Sequence, residues 1–264
     1  MSIRINPIAK EVQDTFDGIY AQTTSFVQNP NSAINGMIVS GDAGTGKTYT
    51  VKKALIDTGH NKNVEYIKGG KITAASLYVK LALNRAKHRI VILDDCDIIH
   101  HGEKRQIVPM LLGAAELGQS GEISWETARK NSLMDEYNLD MSYKFEGSII
   151  WITNDRKDDI AKAVKQWKSA IFSRFNFAEC NFTDEQKFMY TMHLVENIDM
   201  LGTNCQEFPG GYPREIIEQA RDYMSENYRS LVEVTPRQAI KIADIMHHNP
   251  DANLQKQILR QLWK

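Results

Sequence analysis

The stretch Gly36-Met-Ile-Val-Ser-Gly-Asp-Ala-Gly-Thr-Gly-Lys-Thr-Tyr-Thr50 decides the reading of the fold. Gly41, Gly46, Lys47 and Thr48 match the pattern G-x-x-x-x-G-K-[ST], with an apolar run before it that suits a buried strand and a helix-compatible run after it to about Asp57. In that setting the glycines let backbone N–H groups turn toward phosphate oxygens, and the lysine supplies a point charge near them. The expected nucleotide-binding residues are Gly41, Asp42, Ala43, Gly44, Thr45, Gly46, Lys47, Thr48 and Tyr49, with the Thr48 hydroxyl also an expected Mg²⁺ ligand. The competing interpretation is a Gly-rich strand-to-helix turn carrying a stray lysine.

Composition bounds what such a site is attached to. With 264 residues, 42% hydrophobic and 25% charged, the chain is long enough for one large or two modest domains with a sizeable core. Thirty-two basic against 33 acidic residues give a net charge of -1, so any nucleic-acid contact has to be local. Cys96, Cys180 and Cys205, odd in number and without a C-x-x-C pair, argue against a disulfide framework or a zinc site and fit a reducing cytosol. No apolar run reaches membrane-spanning length and the N-terminus lacks the apolar core of a secretory signal, so a cytoplasmic location is expected.

Along the chain, Ile8, Val12, Phe16, Ile19, Tyr20 and Phe26 fall mostly at helical spacing and predict a helix from Asn6 to about Gln28. Asn63 to Ile67 reads as a strand and Thr73 to Ala86 as a helix, with the flexible basic turn Lys68-Gly-Gly-Lys71 between them. A second chemical signature is Arg89-Ile-Val-Ile-Leu-Asp-Asp-Cys-Asp97: an apolar strand that delivers carboxylates to the carboxyl edge of a parallel sheet, where ligands bind in open α/β folds. Asp94 is the expected Mg²⁺ partner, and Asp95 is placed to orient or deprotonate an attacking water. A strand ending in a solvated Asp-rich turn is the alternative.

Together these residues resemble the AAA+ family of ring-forming ATPases, and the likeness runs along nearly the whole chain. The resemblance implies an α/β fold, a P-loop parallel-sheet core followed by a small all-α lid, with ATP and Mg²⁺ as cofactors. Gly147-Ser-Ile-Ile-Trp-Ile-Thr-Asn154 looks like the family's sensor strand, which makes Asn154 the expected polar sensor; the alternative is a helix cap. Ala170-Ile-Phe-Ser-Arg-Phe175 is similar to the Ser-Arg-Phe element of helicase and clamp-loader relatives, so Arg174 is the arginine-finger candidate, acting in trans on a neighbour's nucleotide. An ordinary surface salt bridge is the competing role.

After Phe182 only helices are expected: a capping box at Thr183-Asp-Glu-Gln186, a helix from Pro213 toward Tyr228, a second box at Thr235-Pro-Arg-Gln238, and a last helix from about Ala252 to Leu262. These resemble the family's lid, in which Arg237 takes the sensor-arginine position, with Arg214 as the alternative. The expected organisation is an N-terminal helical segment 1–35, a core 36–181 with a β-hairpin insertion 121–147, and a lid 182–264. Most relatives carry Glu where this chain has Asp95, one methylene shorter; that would leave the carboxylate about 1.5 Å short of the water and slow hydrolysis.

For partners, the resemblance implies a ring or spiral, expected to be a hexamer, with the loop after the second strand lining the pore. Lys68 and Lys71 in that loop suit a nucleic-acid strand, as do Arg129 and Lys130 in the insertion, while Trp125, Tyr143 and Phe145 either stack on bases or pack into the sheet. His100-His101 and His247-His248 read as surface pairs without further metal ligands. The expected function is action on DNA in replication or recombination, as translocase, helicase or loader, in the manner of small AAA+ ATPases of phages and mobile elements. The alternatives are a chaperone-like remodeller of protein complexes and a slowly hydrolysing regulatory scaffold.

Overall fold

The computed structural model describes residues 5–29, 32–100, 102–118, 121–125, 132–205 and 207–264. It divides into two compact units, Phe16–Asp42 with Lys47–Asn181, and Met1–Thr15 with Ala43–Gly46 and Phe182–Lys264. The N-terminal helix α1 (Pro7–Gln28) thus contributes to both.

In the first unit, five parallel strands form a sheet: β1 (Gly36–Gly41), β2 (Val64–Lys68), β3 (Ile90–Asp94), β6 (Ser148–Ile152) and β7 (Phe175–Cys180), in the order β2-β3-β6-β1-β7. The three central strands are buried at every position, as a parallel sheet covered on both faces requires. Val91, Leu93, Ile149 and Trp151 pack with Leu77, Tyr78 and Leu81 of α3 (Ala74–Leu83) and with Ile107, Val108 and Leu111 of α4 (Lys104–Ala114). Full burial of each such aliphatic side chain contributes about 2 kcal/mol. The remaining helices of this unit are α2 (Lys47–Asp57), α5 (Ser132–Glu136), α6 (Lys157–Ala163) and α7 (Lys168–Arg174).

The insertion differs from a plain hairpin. β4 (Gly121–Ser124) and β5 (Ser142–Phe145) do pair antiparallel, but the segment between them carries α5, and Arg129 and Lys130 lie outside the described residues. Its aromatics pack against the core of this unit, Tyr143 and Phe145 buried and Trp125 partly so. Phe145 is fully buried, Tyr143 donates its hydroxyl to Tyr78 O at 2.8 Å, and Trp125 packs edge-on against the Tyr78 ring at 5.5 Å. The reason is the two-residue period of the strands, which turns Ile123, Tyr143 and Phe145 to the same inward face.

The second unit holds α8 (Asp184–Asn197), α9 (Arg214–Asn227), α10 (Pro236–His248) and α11 (Ala252–Arg260) around Val195, Leu201, Met224, Leu231, Ile242 and Leu259. Thr183 and Gln186 form the full reciprocal capping box at the start of α8. At α10 only half of the expected box is made: Thr235 accepts from the Gln238 N–H, and the buried Gln238 side chain makes no return bond to the cap. Among the described residues, no helix is long and apolar enough to cross a membrane.

Candidate functional site

The phosphate loop leaves the sheet where β1 meets β7. Gly41 pairs with Cys180, has φ +125°, and a Cβ there would lie 2.5 Å from the Cys180 carbonyl, so space and backbone both demand glycine. Gly44 and Gly46 also take positive φ, +74° and +113°. Within the helical unit, a Cβ at Gly44 would meet Thr235 Oγ1 at 3.0 Å and Arg237 Cβ at 3.4 Å. Arg237 is the second residue of α10 and exposed. Arg214 is 92% exposed and paired with Glu218 one turn on, a contact of little energetic weight.

Lys47 opens α2 and is 5% exposed. Its Nζ donates to Gly41 O and Asp42 O, both at 2.7 Å, and to Asn154 Oδ1 at 3.1 Å. Burial pushes its pKa below the ordinary lysine value, and the nearby Asp95, Asp42 and Asp94 pull it back in part. Asn154, just beyond β6, passes the connection on: its Nδ2 donates to Asp95 Oδ1 at 3.0 Å. Lysine, amide and carboxylate therefore form one chain of hydrogen bonds from the phosphate loop to the residue after β3.

Asp94 and Asp95 point to different fates. Asp94 ends β3, is 2% exposed, and accepts from Thr48 Oγ1 at 2.9 Å on Oδ1. Its other oxygen, Oδ2, accepts from the hydroxyl of Tyr66 on β2. Burial, then the Asp94 carboxylate, pushes the Tyr66 phenol well above its ordinary pKa, which keeps it a donor. Asp95 is exposed and sits at φ +54°, with its N–H bonded to Ile152 O at 3.0 Å. A left-handed aspartate costs on the order of 1 kcal/mol and turns the chain out of the strand. Tyr66 carries no motif; it could have been found only by pairing β2 with β3, since Tyr66 lies beside Ile92 and so shares a face with Asp94.

These groups fit a magnesium-bound nucleotide. The loop places glycines at three positions of positive φ, Gly41, Gly44 and Gly46, and a hydroxyl and a carboxylate converge at the edge of the sheet, as hard-cation ligands should. Among the described residues no group of three or more His, Cys, Asp and Glu side chains stands ready for a metal on its own, so oxygen ligands from phosphate and water would complete the shell. Tyr49 is 47% exposed. Thr45 is buried.

The other sequence-selected residues lie apart. Arg174 ends α7 and is held within its own chain, donating to Leu112 O at 3.0 Å and pairing with Glu116 at 2.8 Å. Lys68, the last residue of β2, and Lys71 on the turn after it are exposed, but that turn is tied to β3 and the residues after it: the Gly69 N–H donates to Asp94 O at 2.8 Å, and the Asp97 N–H to Gly70 O at 3.2 Å. His100 meets Asp155 at 3.1 Å and His248 meets Asp244 at 3.3 Å, while His101 lies outside the described residues. The three cysteines are free and buried.

Comparison with known proteins agrees with this architecture. The chain superposes on a DNA replication initiation factor with a TM-score of 0.50 at 13% identity, covering 97% of this chain and 66% of that one. A proline-to-glycine mutant of Thermotoga maritima RuvB gives 0.51 at 12% identity, covering 96% and 69%. The chain has the AAA+ fold. It spans about two thirds of the length of each of those structures. In sequence, the chain is 26% identical over 253 residues to an uncharacterized 36.7 kDa protein from the nrdC-mobD intergenic region of Enterobacteria phage T4, covering 92% of this chain and 74% of that protein. No protein-family profile matches it.

Proposed function

We propose that this chain is an ATP hydrolase that assembles through its AAA+ core and couples turnover to action on DNA. The observation that carries the reading is the convergence of Lys47, Asn154 and Asp95 in one hydrogen-bonded chain beside the Thr48–Asp94 pair. When bound, Mg²⁺–ATP supplies the phosphoryl bond to be cleaved and the cation that offsets its charge. Lys47 would exchange its bonds to Gly41 O and Asp42 O for phosphate oxygens. Thr48 and Asp94 would hold the cation, and Asp95, oriented by Asn154, would accept a proton from water.

In the same reading the working arrangement is an N-terminal segment 1–35, a core 36–181 and a lid 182–264, built into a ring or spiral, with a hexamer as the expected form. Arg174 acts in trans once its pair with Glu116 opens, and Arg237 serves as the lid's sensor. Lys68 and Lys71 face the DNA strand. That one solved protein sharing the fold is a DNA replication initiation factor supports the choice of DNA, and the phage T4 relative supports a phage setting, with the host cytoplasm as location. A net charge of -1 favours the second reading, a remodeller of protein complexes.

The test is steady-state ATPase activity of the chain alone and with single-stranded DNA, duplex DNA or an unfolded protein, with Lys47→Ala as the blank. Stimulation by DNA that Lys71→Ala abolishes is the expected result. Turnover that ignores DNA and rises with protein would replace the leading reading by the second.

A further inference from the structure

The carboxylate of Asp94 is engaged on both oxygens by hydroxyls of different elements. Thr48 on α2 donates to Oδ1 at 2.9 Å, and Tyr66 on β2 donates to Oδ2. At 2% exposure, Asp94 has no bulk water to exchange for either partner. The Tyr66 ring is itself pinned: its strand is in register with β3, and Lys52 Nζ lies 4.5 Å from the ring centroid. Thr48 belongs to the phosphate loop, so a cation held there would share it with Oδ1, while Oδ2 is held by the phenol, whose hydroxyl also lies within hydrogen-bond reach of Thr48.

We infer that Tyr66 sets the metal preference of the site: by holding Oδ2 it limits Asp94 to one oxygen toward a cation, which favours Mg²⁺ over Ca²⁺. The chemistry lies in the two ions. Ca²⁺ takes six to eight oxygens in flexible geometry and readily uses both oxygens of one carboxylate, whereas Mg²⁺ demands octahedral single-oxygen contacts at shorter distance. A carboxylate that cannot open to two-oxygen binding removes an advantage from Ca²⁺ and none from Mg²⁺. Tyr66 is a positioning residue here, acting through Asp94, and the inference rests on the proposed assignment of Thr48 and Asp94 as cation ligands.

The experiment measures binding of a fluorescent non-hydrolysable ATP analogue while Mg²⁺ or Ca²⁺ is titrated, for the wild-type chain and Tyr66→Phe. The wild type should reach half-saturation at lower Mg²⁺ than Ca²⁺. In Tyr66→Phe the ratio of the two midpoints should move toward Ca²⁺ by about tenfold, the scale of one hydrogen bond to a charged group, with metal-free nucleotide binding unchanged. An unchanged ratio, or an equal shift for both metals, would overturn the inference while leaving the nucleotide site standing. A wild type as content with Ca²⁺ as with Mg²⁺ would overturn it without any variant. Nucleotide binding indifferent to both cations would remove the Thr48–Asp94 assignment itself, and the inference with it.

Discussion

Two glycine-bearing turns follow strands of the same sheet, β1 and β2, with β3 and β6 between them, and they use glycine for different reasons. In the phosphate loop Gly41 has a positive φ and a carbonyl 2.5 Å from where its Cβ would be. In the basic turn Gly69 and Gly70 have φ +66° and +74°, yet nothing lies within 4 Å of a Cβ at either. The first loop is packed and the second is open. A ligand cradle has to be built to atomic tolerance, whereas a turn that presents lysines needs only a backbone path and room for a partner to approach.

Substitutions can sharpen or break that contrast. Gly41→Ala should have the largest effect, because strain of about 1–3 kcal/mol adds to a backbone collision; loss of nucleotide binding by about 100-fold, read by titration of a fluorescent ATP analogue, is expected, and near-normal binding would show that the loop is looser than its packing. Next in size, Lys68→Ala with Lys71→Ala should weaken single-stranded DNA binding and lower the slope of log affinity against log salt by about 1.4, about 0.7 for each phosphate-neutralising lysine removed. An unaltered slope would free the open turn of any DNA role. Gly70→Ala should cost only the φ penalty, about 1 kcal/mol of stability by urea unfolding, with nucleotide affinity untouched.

The smallest change is expected at Cys180, which packs against Gly41. Burial pushes its thiol up to about 12 and that of Cys96 up to about 11, so both stay protonated and shielded near pH 8. A disulfide reagent should leave them unmodified in the native protein and react fully in denaturant. Rapid native reaction at Cys180 would mean that the β1–β7 junction opens.

Much of this is legible in sequence because it is local. The phosphate loop is fixed by spacing within eight residues, β3 by an apolar run ending in acids, and α8 by a capping box. The helix α4 is not legible, since Pro109 within it looks like a break. Nor is the passage from α7 to β7, where Arg174 ends a helix and Phe175 begins a strand with no turn residue between them. Tyr66 and Glu116 escape for another reason: their partners, Asp94 and Arg174, are 28 and 58 positions away, and only the register of the sheet and the packing of α4 bring them together. Of the two roles open to the insertion's aromatics, base stacking or packing, Tyr143 and Phe145 take packing, and sequence leaves this undecided for the same reason, because their inward face is set by pairing across the insertion.

The pairing of β7 with β1 also works as a ruler. Phe175 lies beside Gly36 and Cys180 beside Gly41, so Arg174 stands at the amino edge of the sheet and the phosphate loop at the carboxyl edge. Six strand residues separate them, roughly 20 Å at the rise of a parallel strand. An arginine side chain spans less than half of that. Arg174 is therefore kept out of reach of the phosphate loop of its own chain by the length of one of that chain's own strands.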